Sequence, residues 1–262
     1  MTINHRARRS WQAVMAFAIA LCSPYAWALK VGPMTGEWVL SATDHYELTV
    51  VNDKETTAPI KITALSRTQD ANGIEVRTPS DDLVIFPGQF LVKPNEQRVV
   101  RISLKKKLRP QIELAYRIIA EEIATKDVAL KGSGVRFVTR FVTAMYIVPE
   151  RPQPQIEFIS ARRESEGFSF TLKNTGNIHH LLSRPILKFT QHSVVQILDN
   201  PEELKPIPLT NLLPGTTHTV AWRWPGTALR PLLDLSRDYR VDMSWDCPHC
   251  KKDRASLDIK VE

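Results

Sequence analysis

Residues 83–104 read Leu83-Val84-Ile85-Phe86-Pro87-Gly88-Gln89-Phe90-Leu91-Val92-Lys93-Pro94-Asn95-Glu96-Gln97-Arg98-Val99-Val100-Arg101-Ile102-Ser103-Leu104. Leu83 to Phe86 is a short apolar run stopped by Pro87-Gly88. Phe90 to Val92 ends at Pro94-Asn95, and Arg98 to Leu104 follows. Apolar runs of this length, punctuated by Pro-Gly and Pro-Asn, describe strands joined by tight turns.

The same rhythm extends in both directions. Tyr46 to Val51 is a strand closed by Asn52-Asp53. Ile60 to Leu65 alternates apolar and polar residues with period two, and Asn72-Gly73 is a turn signal. Ala115 to Ile123 follows, then the flexible corner Gly132-Ser133-Gly134 and a long strand-like run from Val135 to Val148. Glu150-Arg151-Pro152-Gln153-Pro154 is the best linker, since its prolines remove backbone donors and stiffen the chain. Beyond it the pattern restarts at Ile156–Ile159, Phe168–Leu172, Ile178–Leu182, Ile186–Phe189, Val194–Leu198, Thr217–Trp224, Tyr239–Trp245 and Ser256–Val261. Pro231 to Leu235 is a short helical alternative. About seven runs per half predict an all-β fold with two immunoglobulin-like β-sandwich domains.

The chain has 262 residues, enough for two cores. His5, Arg6, Arg8 and Arg9, the apolar stretch Val14 to Cys22 and the small-x-small site Ala26-Trp27-Ala28 form a secretory signal peptide over residues 1–28. Leu21 before Cys22 does not suit lipoprotein processing, and the residues after Arg8-Arg9 do not suit the twin-arginine route. The apolar stretch is short for a bilayer span, so no stable membrane insertion is expected. Domains are expected over 29–150 and 151–262. Removing residues 1–28 takes away three arginines and no acid, so the formal charge falls from +7 to +4. Lys105-Lys106-Lys107 with Arg109 is the one dense basic run, and a solvated loop explains it, so no nucleic-acid partner is expected.

Val135, Phe137 and Phe141 share one strand parity with Thr139, while Arg136, Val138 and Arg140 take the other. Pattern alone leaves two readings open: a strand lent to a partner's groove, or an ordinary core strand with its arginines outward. Cys247-Pro248-His249-Cys250 has the spacing of a thiol-disulfide oxidoreductase. However, a strand precedes it and only twelve residues follow, too few for a thioredoxin-like domain. A close pair in an oxidising compartment is read as a disulfide. His179-His180 is read as a strand pair with one ring exposed. No nucleotide loop, Gly-x-Ser-x-Gly or His-Glu-x-x-His motif is present, and no metal or cofactor is implied.

The stretch from Phe86-Pro87-Gly88 to Lys93-Pro94-Asn95-Glu96-Gln97-Arg98-Val99-Val100-Arg101-Ile102 resembles the middle strands of the PapD-like periplasmic pilus chaperones. Glu113 to Ile123 resembles the next family strand, and Val135 to Pro149 the long strand closing the first domain. Leu172 to Asn177, Leu213-Pro214-Gly215, Asp238-Tyr239 and the late cysteine pair continue the match, with features of the alternate or archaic branches. The resemblance implies two immunoglobulin-like domains at an angle. It implies no enzymatic activity and no cofactor, a periplasmic location, and pilus subunits and an outer-membrane usher as partners. The implied mechanism is donor-strand complementation through Val135, Phe137, Thr139 and Phe141. It also implies a Cys247–Cys250 disulfide across a hairpin.

The family anchors a subunit's carboxylate with two basic residues. The matching positions here fall near Gly36 and Ala144, neither of them basic, which leaves Arg140 and Arg117 as candidates. The family's interdomain charge network matches Glu113 and Asp238. Its arginine falls near Val148, with Arg151 close by. Two other functions remain open at this point: a thiol oxidoreductase using Cys247 and Cys250, and a structural immunoglobulin-like component of a surface fibre.

Overall fold

The computed structural model describes residues 28–70, 72–124, 138–164, 167–198, 210–223, 237–246 and 254–259. Residues 1–27 of the segment expected to be a signal peptide, the Gly132–Gly134 corner, Val135, Arg136, Phe137, the Pro231–Leu235 segment and the Cys247–Cys250 motif lie outside them. Every regular element among the described residues is a strand.

The first half contains β1 (Leu29–Gly32), β2 (Thr35–Val39), β3 (Tyr46–Asn52), β4 (Ala58–Gln69), β5 (Glu75–Pro79), β6 (Leu83–Phe86), β7 (Gln89–Val92), β8 (Glu96–Leu104), β9 (Leu114–Glu122) and β10 (Arg140–Val148). The second contains β11 (Ile156–Glu164), β12 (Gly167–Asn174), β13 (His180–Gln191), β14 (Val194–Leu198), β15 (Thr210–Leu212), β16 (Thr217–Arg223), β17 (Tyr239–Asp246) and β18 (Arg254–Ile259).

The strands form two sandwiches. In the first, the sheet β1-β3-β8-β6 faces the sheet β2-β10-β9-β4-β5, with β7 added on β4. In the second, β11-β12-β16 faces β14-β13-β17-β18, with β15 on β13. Period-two patterning drives this. In β3, Tyr46, Leu48 and Val50 are buried on one face, and Val100 and Ile102 of β8 join them. With Trp38, Ile60, Ile118, Met145 and Ile147 they fill the first core. Phe168, Phe170, Leu187, Phe189, Val241 and Trp245 fill a separate second core. Each core belongs to its own half of the chain, which is the physical content of a two-domain molecule.

Both domains use the same device at a strand end. Asn52, at the end of β3, is fully buried, and its amide donates to the carbonyls of Val92 and Thr56 at 2.9 and 2.8 Å. Asn174, at the end of β12, is equally buried and donates to Leu212 and Ile178 at 3.0 and 2.8 Å. Each side chain satisfies carbonyls that the sheet ladders leave over.

The structure departs from the sequence expectations at particular strands. The runs expected at Ile178–Leu182 and Ile186–Phe189 meet in one strand, β13, which begins at His180 and whose register against β17 shifts between Ser183 and Ile186. Pro185 lies inside that step and has no N–H for the ladder, so the irregularity keeps one strand continuous. β5 carried no apolar signal because its residues are mostly exposed. β1 and β2 were also unread; the chain passes from one sheet to the other across Gly32-Pro33-Met34. The regular part of the Val135–Val148 run begins at Arg140 among the described residues.

Candidate functional site

β10 is paired unequally along its two edges. β9 runs antiparallel to it along Arg140–Ile147. On the other edge, β2 runs parallel to it only from Ala144 to Val148. Among the described residues, no strand occupies that second edge at Arg140–Thr143. Unpaired backbone donors and acceptors there are a template for strand addition.

The two faces of β10 are distinct. Phe141, Met145 and Ile147 point to the first core, Phe141 being only partly buried there. Arg140, Val142, Ala144 and Tyr146 take the opposite face. Ala144 and Tyr146, with Ala115 of β9, pack on Leu213 of the second domain. The described part of the strand is buried on both faces from Thr143 to Ile147, with Arg140 exposed at its start. Thr139 continues the β9 ladder by accepting from the Glu122 amide at 3.0 Å, and Val138 beside it is exposed.

Register explains the missing basic residues. Ala144 lies opposite Thr35 on β2, and Gly36 opposite Met145. Gly36 thus belongs to the inward parity of Trp38, and a Cβ at Gly36 would collide with the Tyr46 hydroxyl. No side chain from position 36 can reach the outer face. The outward neighbour of Ala144 is Thr35, so the two outward positions are small and neutral.

Across the sheet, the next position in the same row is Arg117 on β9, paired with Ala144 on one side and Leu65 of β4 on the other. Its guanidinium holds Glu75 in a fork, 3.0 and 2.6 Å. Arg77 also meets Glu75, and Arg67 Nε lies 2.8 Å from it. Three guanidiniums therefore surround one carboxylate. The Arg117 hydrogen bond, then that of Arg77 and the nearby charge of Arg67, hold the Glu75 pKa down at about 2. The same contact raises that of Arg117. Arg140 sits differently, 3.3 Å from Glu121 with both side chains about half exposed. The Lys105–Lys107 run is exposed, with Lys105 beside Asp81.

Below this cluster the second domain joins the first. Tyr146 is 1 % exposed, and its hydroxyl accepts from Arg67 Nη1 at 2.6 Å and from Asn211 at 2.8 Å. Gln69 reaches over from β4, donating to the Asn211 carbonyl and accepting from the Leu213 amide, each at 2.8 Å. Asn177 donates to the carbonyls of Gln111 and Arg151, and its own oxygen accepts from the Gln153 amide.

Glu113 lies in this interface, but its partner is His179. The ring Nδ1 is 2.8 Å from Oε2, and the His179 amide donates to Oε1 at 3.1 Å. Arg151 is exposed and enters only through its carbonyl, because it lies in the linker beyond β10. Asp238 precedes β17, and its carbonyl accepts from Gln191 at 3.3 Å. The expectation for the histidine pair is half corrected. His180 is the buried member, edge-on to Trp245, and its pKa is lowered to about 4 by burial and by the charge of His179. His179 is not simply exposed: it stacks on Tyr146 with ring centroids 3.8 Å apart. A carboxylate followed by an aromatic-bearing strand and a later histidine carries no sequence signal for such contact, since the pairing spans 66 residues.

Residues 39–153 match the family model of the pili and flagellar-assembly chaperone, PapD N-terminal domain. No curated relative matches the sequence. Among solved structures, one described as a chaperone–tip adhesin complex vital for synergistic activation of CFA/I fimbriae biogenesis aligns at TM-score 0.58 and 12 % identity, covering 88 % of this chain and 98 % of its own. The class 5 fimbriae chaperone CfaA aligns at TM-score 0.57 and 11 % identity, covering 90 % and 99 %. A chain of the Salmonella enterica SafA pilin–SafB chaperone complex aligns at TM-score 0.52 and 11 % identity, covering 90 % and 99 %. At such identities the likeness concerns the fold: two immunoglobulin-like sandwiches.

Proposed function

We infer, from a first domain of the PapD pilus-chaperone type, that this chain is a periplasmic chaperone that binds pilus subunits and hands them to an outer-membrane usher. In this reading residues 1–28 are removed on export, 29–150 form the subunit-binding domain, 151–262 form the second domain, and Cys247 and Cys250 form a disulfide. The subunit is an incomplete sandwich whose groove receives a lent strand. The observation that carries the reading is the open edge of β10 at Arg140–Thr143, directly after the alternating Val135, Phe137 and Thr139. Backbone groups on that edge supply hydrogen bonds, and the alternate side chains fill the groove. Phe141 is partly buried against the first core, so the upstream three residues carry most of the groove contact.

The subunit's C-terminal carboxylate is assigned to Arg117, which shares a row with Thr35 and Ala144. Arg140, about half exposed, is the weaker candidate, since exposed ion pairs contribute about 0–1 kcal/mol. Co-expression with subunits from the same operon tests the whole reading. A one-to-one periplasmic complex is expected, and Phe137→Asp abolishes it. A complex that forms undiminished with Phe137→Asp would overturn the strand assignment, and no complex with any subunit would overturn the function.

A further inference from the structure

Arg117 stands on β9, beside Ala144 of β10 on one side and Leu65 of β4 on the other. Its guanidinium nevertheless ends on Glu75 of β5, at 3.0 and 2.6 Å. In sheet order β4 lies between β9 and β5, so the contact spans two strand spacings of about 4.8 Å each. Glu75 also lies opposite Gln69, while the β4 partner of Arg117 is Leu65. The Arg117 side chain therefore leans diagonally over β4, away from β10 and from the small neutral pair Thr35 and Ala144. The two partners of this fork are unequally dependent on it. Glu75 also has Arg67 Nε at 2.8 Å and accepts from Arg77 on its own strand. Arg67 is 7 % exposed and bonded to the Tyr146 hydroxyl at 2.6 Å, which keeps it beside Glu75. Among the described residues, Arg117 meets no carboxylate other than Glu75.

We propose that Glu75 is a latch on Arg117: in the subunit-free chain it holds the guanidinium over β4, and a subunit's terminal carboxylate draws Arg117 back over Ala144 by taking the place of Glu75 in the fork. The exchange replaces one guanidinium–carboxylate fork by another, so its charge-assisted hydrogen bonds are kept in kind and number. Glu75 stays between Arg67 and Arg77 and is not left as a buried charge without a partner. Rotation of the Arg117 side chain is enough, and the β9 backbone keeps both of its ladders. Opening the existing fork has a cost, so the apparent affinity for the incoming carboxylate falls by the fraction of chains in which Arg117 is latched. Glu75 is thus a positioning residue that acts through Arg117. The inference rests on the chaperone reading and adds to it a competitor carried by the chain itself.

The test is competition at neutral pH for one labelled subunit from the same operon. Glu75→Gln removes the charge that holds the fork and keeps the size of the side chain. Its subunit complex is expected to be about tenfold tighter than that of the unmodified chain, the scale of one hydrogen bond to a charged group. Removing any acid near the site would also favour an anion, so a double variant decides. Arg117→Gln should weaken capture, and Glu75→Gln added to it should then gain nothing, because the latch acts only through that arginine. A gain that persists in the double variant would sink the proposal, as would an unchanged or weaker complex with Glu75→Gln alone. A second measurement needs no variant. In nuclear magnetic resonance of the unmodified chain, the Glu75 carboxyl carbon and the Arg117 Nε signals should both shift on capture while Arg67 Nε stays in place. If both stay unmoved in a complex that has formed, the latch is wrong and the chaperone reading stands. If no subunit is captured at all, the chaperone reading fails and the latch with it.

Discussion

At the residue scale, buried polar groups carry consequences out of proportion to their number. Asn52 satisfies three carbonyls beyond the sheet ladders, and Asn174 two. Replacing either by alanine leaves buried acceptors unpaired, at a cost of about 2 kcal/mol. The two lie in different cores, so the double variant should lose the sum, read as the shift in denaturant midpoint. Glu75 makes a pH prediction. The Arg117 hydrogen bond lowers its pKa in the fold from the usual carboxylate range to about 2. The stability it adds is therefore complete above pH 4.5 and is lost as pH falls toward 2. Glu75→Gln should flatten that acid limb, by about 1–2 kcal/mol after solvent screening. His180 has the opposite chemistry. Burial lowers its folded pKa to about 4, below the ordinary imidazole value of about 6.5, so the unfolded chain takes up the proton first. Stability should begin to fall below pH 6.5 and reach its full loss near pH 4, about 2 kcal/mol, in urea titrations at stepped pH.

The element scale is governed by register. The inward direction of Gly36 follows from the pairing of β2 with β10, and it separates two substitutions one residue apart. Gly36→Arg forces a side chain against Tyr46 and should destabilise the first domain by about 3 kcal/mol or more. Thr35→Arg points outward beside Ala144 and should fold normally. On the proposed function it adds a cation to the Arg117 row and should slow dissociation of a bound subunit, measured by competition with unlabelled subunit. Strands were legible where one face is buried, as in β3 and β8, because alternation and burial coincide there. β5 was not, because its exposed residues carry no apolar pattern. β13 spans the separate runs expected at Ile178–Leu182 and Ile186–Phe189, because an irregularity between Ser183 and Ile186 carries the strand past Pro185.

For the whole molecule, the question is what holds two sandwiches together. Gln69 spans the domains with hydrogen bonds to Asn211, Leu213 and Thr216. Gln69→Ala should leave each core intact, since it belongs to neither. It should instead make the domains unfold with separate transitions in calorimetry, where the unmodified protein is expected to unfold in one. A single unchanged transition would show that Leu213 packed on Ala144 and Tyr146 suffices.

The sequence alone determined the all-β class and the family resemblance, because turns and alternation are local properties that composition records. The resemblance also pointed to the missing bases near positions 36 and 144. Tertiary structure decided which way those positions face, which arginine stands in the same row, and that Glu113 is met by a histidine from the second domain. Those facts depend on strand register and on contacts between residues dozens of positions apart. A one-residue shift in register reverses every side chain on a strand, and nothing in the local pattern fixes which partner a buried charge will find.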